Sequence, residues 1–166
     1  MTTLFLKDEE KIIKDIENPV INISGKVIIK EINSSKDNNY IINLEENSTL
    51  EYIKKDNNFF NRINIIINAS SNTKINYNYA FECLKPCKIN ILTNLNGNNI
   101  KNNIKIHGVT SKCGSSYIEA NAIVKKDTIN NQVLEEIKIL KLNNEESIIK
   151  PNLQVSTNNI MASHNT

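Results

Sequence analysis

Two histidines and three cysteines hold most of the chemistry that this chain of 166 residues can offer. His164 closes the run Pro151-Asn152-Leu153-Gln154-Val155-Ser156-Thr157-Asn158-Asn159-Ile160-Met161-Ala162-Ser163-His164. Imidazole titrates near neutral pH and is the commonest metal ligand, so His164 is the first candidate. The competing reading is an exposed His on a frayed terminus that binds nothing. Cys83 and Cys87 are separated by Leu84-Lys85-Pro86, a spacing found in some metal sites. Cys113 and His107 complete a four-ligand set on paper, as a soft metal or an iron–sulfur cluster would require. The simpler reading makes Cys87 a small buried hydrophobe in an alternating strand, Cys113 a thiol in a polar loop, and His107, next to Gly108, a turn residue.

Catalysis finds few parts. There is no Gly-rich phosphate loop and no nucleophile elbow, and Arg62 is the sole arginine. Acidic pairs occur at Glu9-Glu10, Glu45-Glu46, Glu135-Glu136 and Glu145-Glu146. Neighbours on a strand point to opposite faces, so these read as ordinary solvated charges rather than as an acid–base pair. The expectation is a protein that is not an enzyme.

Such side chains need a frame, and composition bounds it. The length suits one domain and is enough to bury a core without disulfides or metals. A net charge of +2 with 23% charged residues implies no strong field for nucleic acid or an anionic membrane. There is no Trp, and the Tyr and Phe residues form no RNA-binding signature. Asn supplies roughly one residue in five, several-fold above ordinary usage. With four Gly and three Pro, Asn is expected to do much of the turn work, since it tolerates left-handed conformations. No basic lead and apolar run mark a secretory signal, and no window approaches the ~18 apolar residues of a membrane span. Three cysteines, an odd number, suit a reducing cytoplasm.

The elements are short. Leu4 to Glu17 is expected to form a short helix with an apolar stripe of Ile12, Ile13 and Ile16, stopped by Pro19, with a strand start at Leu4–Leu6 as the competing assignment. Residues 1–19 are thus an N-terminal cap segment and 20–166 the core. From Val20 onward, β-branched residues alternate with polar ones, as in Val20-Ile21-Asn22-Ile23, Ile63-Asn64-Ile65-Ile66-Ile67 and Cys87-Lys88-Ile89-Asn90-Ile91. Breaks fall at polar clusters such as Ser34–Asn39, Ala69–Asn72 and Asn94–Asn99. A period of two with strand centres about 10–15 residues apart indicates an all-β domain. A sandwich or barrel competes with a β-helix whose coils stack on one another. The shortage of tight Asn-Gly hairpins leans towards parallel coils.

The C-terminal segment resembles the end of the β-helical core of the SufB/SufD family of iron–sulfur cluster assembly scaffolds. The resemblance rests on Pro151, Leu153, Val155, Asn158-Asn159 and Ser163-His164, and on the preceding Glu136-Ile137-Lys138-Ile139-Leu140-Lys141-Leu142 with Glu145-Glu146. It extends back to His107-Gly108-Val109 with Ser111 and Ser115-Ser116. Two positions depart from the SufD-like motif: Ala162 stands where a Cys is frequent, and Asn165-Thr166 replaces Gly-Ala-Thr. The resemblance implies a right-handed parallel β-helix. It also implies a role in cluster assembly as scaffold or partner subunit, with iron or a transient cluster at His164. The implied partner is a SufB-like chain, or a second copy in a homodimer through the C-terminal β-helix edge. The helical region that holds the SufC-like ATPase in the family is expected to be absent, so recruitment of that ATPase is not expected. The alternatives are a β-solenoid interaction module without a cluster, and a small metal protein built on Cys83, Cys87 and Cys113.

Overall fold

The computed structural model describes residues 2–14, 16–32, 37–57, 61–157 and 159–165, and every regular element among them is a β-strand. The strands are β1 (Thr3–Lys7), β2 (Glu10–Ile13), β3 (Val20–Ser24), β4 (Lys26–Ile32), β5 (Asn38–Leu44), β6 (Thr49–Asn57) and β7 (Arg62–Ala69). They continue with β8 (Lys74–Cys83), β9 (Cys87–Leu95), β10 (Lys101–Thr110), β11 (Ser116–Val124), β12 (Asn131–Lys141), β13 (Ser147–Val155) and β14 (Ile160–Asn165). Odd-numbered strands make one seven-stranded sheet and even-numbered strands the other, each in chain order. The strands within each sheet pair in parallel. Each coil therefore takes one strand from each sheet, and the chain is a parallel β-solenoid.

Alternation explains why these runs coil. Successive side chains on a strand face opposite ways, so one residue in two can enter the space between the sheets. β7, β9 and β11 show this alternation of buried and half-buried positions along their length. In-register pairing then stacks like on like. Ile23, Leu44, Ala69, Leu95 and Val124 form one buried column through five successive coils. Each buried Ile or Leu stabilises the fold by roughly 1.5–3 kcal/mol.

Asparagine works outside and at the corners. On the solvent face of the odd-strand sheet, Asn43 donates to Asn22, Asn68 to Asn43 and Asn94 to Asn68, at 2.9, 2.8 and 2.8 Å. At one turn, Asn47, Asn72, Asn99 and Asn130 all adopt left-handed backbone, with φ of 61°, 58°, 57° and 58°. Their side chains are also linked, each to the next coil, at 3.1, 2.9 and 3.2 Å. Coil length drifts along the chain: ladder partners lie 21 residues apart near the N-terminus and 31 near the C-terminus. That drift hides the repeat from a search for a fixed period.

Two expectations need correction here. The N-terminal segment is not a helix: β1 pairs with β3 and β2 with β4, making it the first coil of the same solenoid. The supposed helical stripe is split, with Ile13 buried and Ile12 61% exposed. His107-Gly108 is not a turn but lies inside β10. A side chain at Gly108 would collide with the Phe81 ring of the preceding coil, so glycine is required there for close stacking rather than for turning. Of the expected break at Ser34–Asn39, residues 34–36 lie outside the described residues, as does Asn158 of the C-terminal motif.

Candidate functional site at the C-terminal rung

The interior columns are apolar over most of their length, and among the described residues buried charge enters at two places. One is near the N-terminal end, around Lys54. The other is at the last rung. Along β12 the inward positions are Val133, Glu135 and Ile137, and β14 pairs with this strand so that His164 sits beside Glu135. The column there runs Tyr52, Tyr77, Ile104, Glu135, His164. His164 therefore occupies a core-facing register position on the outermost described strand of its sheet, with its side chain 31% exposed.

Glu135 is 1% exposed. Burial raises its carboxyl from 4.5 to about 7, because desolvation penalises the charged form. Its Oε2 lies 3.0 Å from His164 Nδ1. The two groups lie within ion-pair distance but without hydrogen-bond alignment, and no donor among the described residues satisfies that oxygen. A buried carboxylate oxygen in that state is costly unless it takes up a proton or a cation. Carboxylate and imidazole together suit ferrous iron or a similar divalent ion. Among the described residues no third His, Cys, Asp or Glu joins them, so the pair offers two ligands and the rest must come from outside this rung.

Glu135 corrects the reading of the acidic pairs. Glu135 and Glu136 do point to opposite faces, yet only Glu136 is a surface charge. The visible signal was phase: Glu135 falls in step with Val133 and Ile137, while Glu136 does not. Glu136 Oε1 instead meets His107 Nε2 at 2.7 Å and Lys138 Nζ at 3.2 Å on the outer face of the even-strand sheet. Those hydrogen bonds hold the Glu136 carboxyl below its usual range.

The cysteines do not assemble as the metal reading requires. Cys83 ends β8, Cys87 begins β9, and the two are joined by a disulfide of 2.01 Å, so their thiolates are not free to bind metal in this form. Cys113 is exposed and unpaired in the loop after β10. That loop packs on the Cys83 turn, where Ser111 N–H donates to the Cys83 carbonyl at 3.1 Å. His107 is in register with Ala80, not with either bonded cysteine. No helix among the described residues is long and apolar enough to cross a membrane. Comparison with known proteins returns no matching family model, no matching curated protein and no matching solved structure.

Proposed function

We propose that this chain is a non-enzymatic scaffold or partner subunit of iron–sulfur cluster assembly, similar in role to the SufB/SufD family. The supporting observation is the Glu135–His164 pair on the last rung, with a buried carboxylate oxygen that lacks a hydrogen-bond donor. Iron, or a nascent cluster, is the cargo. His164 and Glu135 contribute two ligands, and a SufB-like chain or a second copy supplies the others across the β14 edge. β14 is the outermost described strand of its sheet, and its outer backbone groups offer a template for such pairing. Part of the family resemblance lies in this same coil, with Pro151, Leu153 and Val155 on β13 and Ser163 and His164 on β14.

Anaerobic reconstitution with ferrous iron and sulfide tests the reading. The expected result is a visible charge-transfer absorption that falls at least several-fold in both His164→Ala and Glu135→Gln. An absorption unchanged by either substitution, or none in the presence of a stable dimer, would replace this reading with a plain β-solenoid interaction module.

A further inference from the structure

The second charged place in the core is a more unusual arrangement. The Lys54 side chain has no solvent exposure, and neither have those of Glu31 and Asp56. Lys54 Nζ lies 3.0 Å from Glu31 Oε1, and 3.3 and 3.2 Å from the two carboxylate oxygens of Asp56. Three phenols surround the group. Tyr40 donates to Glu31 Oε1 at 2.5 Å and Tyr52 to Glu31 Oε2 at 2.7 Å, while Tyr79 donates to Asp56 Oδ2 at 2.5 Å. Lys54 Nζ also donates to the Tyr40 oxygen at 3.1 Å and stands 4.8 Å from that ring's centre. Four strands converge here: Glu31 comes from β4, Lys54 and Asp56 from β6, Tyr79 from β8, and Tyr40 from β5 of the facing sheet.

An amine, a carboxyl and a second carboxylate in a dry aromatic pocket are the components of amide condensation. We propose that Lys54 and Asp56 condense to an intramolecular amide, with Glu31 as the proton-transfer group. A proton passes from Lys54 Nζ to Asp56 Oδ1, to which it already donates, leaving a neutral amine facing a neutral carboxyl. The amine nitrogen, held 3.3 and 3.2 Å from the two Asp56 oxygens, attacks Asp56 Cγ. Negative charge develops on Oδ2, where the Tyr79 hydroxyl already donates. Glu31 then takes the second amine proton and passes it to the departing Oδ1 hydroxyl. One C–N bond forms, one C–O bond breaks, and water leaves. The balance is ammonium plus carboxylate giving amide plus water, with Glu31 regenerated and no oxidant or co-reactant consumed.

Two features assign the roles. Glu31 Oε1 lies 3.0 Å from Lys54 Nζ and each Glu31 oxygen accepts from a phenol, which holds Glu31 beside the amine as the proton-transfer group, while Asp56 follows Lys54 by two residues on the same face of β6 and presents both oxygens to that amine. Burial, reinforced by the adjacent carboxylates, pushes the Tyr52 and Tyr79 phenols well above their ordinary range, which keeps them as donors. Condensation removes one positive and one negative charge from the core, where both are costly to hold. Glu31 keeps its phenol donors and gains proximity to the new amide N–H. The reaction needs neither the last rung nor iron, and so stands apart from the proposed assembly role.

Intact mass of the folded, reduced full chain tests the proposal. The expected result is a mass lower than the sequence mass by one water. Tandem fragmentation should show no backbone cleavage product separating Lys54 from Asp56. Glu31→Gln and Lys54→Met should both return to the full mass of their sequences. Wild-type protein that stays at full sequence mass after prolonged incubation in the folded state would overturn the proposal, whatever the variants do. A water loss mapped elsewhere, or a branched peptide joining residues 31 and 54, would overturn the assignment of Asp56 as acceptor.

Discussion

A carboxyl 1% exposed and raised to about 7 makes stability depend on pH in a direction opposite to that of a salt-bridged surface acid. For Glu135, below about pH 4.5 the folded and unfolded chains both hold the proton, and nothing is lost. As pH rises from there, the unfolded chain releases the proton while the folded chain keeps it. Stability therefore falls across this window and levels off once pH passes about 7, a total on the order of 3 kcal/mol. Glu135→Gln should flatten that slope, as measured by urea unfolding at a series of pH values. An equal slope in the variant would show that another group is responsible. His164 was legible in the sequence from its residue type and its place in the Pro151–His164 run. Its partner was hidden because a pair of adjacent acids draws attention to charge, whereas the informative quantity was which acid shares phase with Val133 and Ile137. The same holds for Lys54 and Asp56, which are in step with Leu50 and Tyr52. Buried charges are uncommon enough that a polar residue in an apolar phase is easily passed over as noise.

The element that repeats most regularly is the asparagine turn, and it combines a backbone requirement with a side-chain one. Asn72 has a φ of 58°, donates to Asn47 at 3.1 Å and accepts from Asn99 at 2.9 Å. Asn72→Ala imposes the left-handed cost of roughly 1–2 kcal/mol and removes both bonds. Asn72→Gly removes the bonds but avoids that steric cost. Denaturant unfolding should therefore rank wild type above Asn72→Gly, and Asn72→Gly above Asn72→Ala. If the two variants are equal, the ladder and not the backbone sets the contribution of this position. That asparagine would shape the turns was readable from the scarcity of glycine and proline. The N-terminal strands were less readable. Ile12, Ile13 and Ile16 fit a helical stripe, but a helix of that length gains little alone, since nucleation is costly. Pairing of β1 with β3 and of β2 with β4 provides backbone partners in each sheet that a lone helix could not. Local pattern could not reveal a contact that depends on the chain returning a coil later.

At the scale of the whole molecule, a solenoid is close to one-dimensional: each coil is held by the coil before and the coil after. Among the described residues, every strand from β3 to β12 has a hydrogen-bonded neighbour on both sides, while β1, β2, β13 and β14 have one each. Burial follows the same gradient, from full alternation in β9 and β11 to a mostly exposed β14. Opening free energy should follow it too, since local unfolding is easiest where fewest buried contacts must be broken. Amide hydrogen exchange should therefore be slowest in β5 to β11 and fastest in β1, β2, β13 and β14. This gradient makes the assembly proposal testable without any cluster chemistry. A partner that pairs with β14 converts an edge strand into an interior one, so its arrival should slow exchange in β12 to β14 by an order of magnitude or more and leave β1 and β2 unchanged. Protection that rises at the N-terminal strands instead, or along one sheet face through all coils, would place the partner elsewhere and remove the Glu135–His164 rung from the contact. Self-association can be read the same way, because slowing at β14 that grows with protein concentration identifies a second copy as the partner.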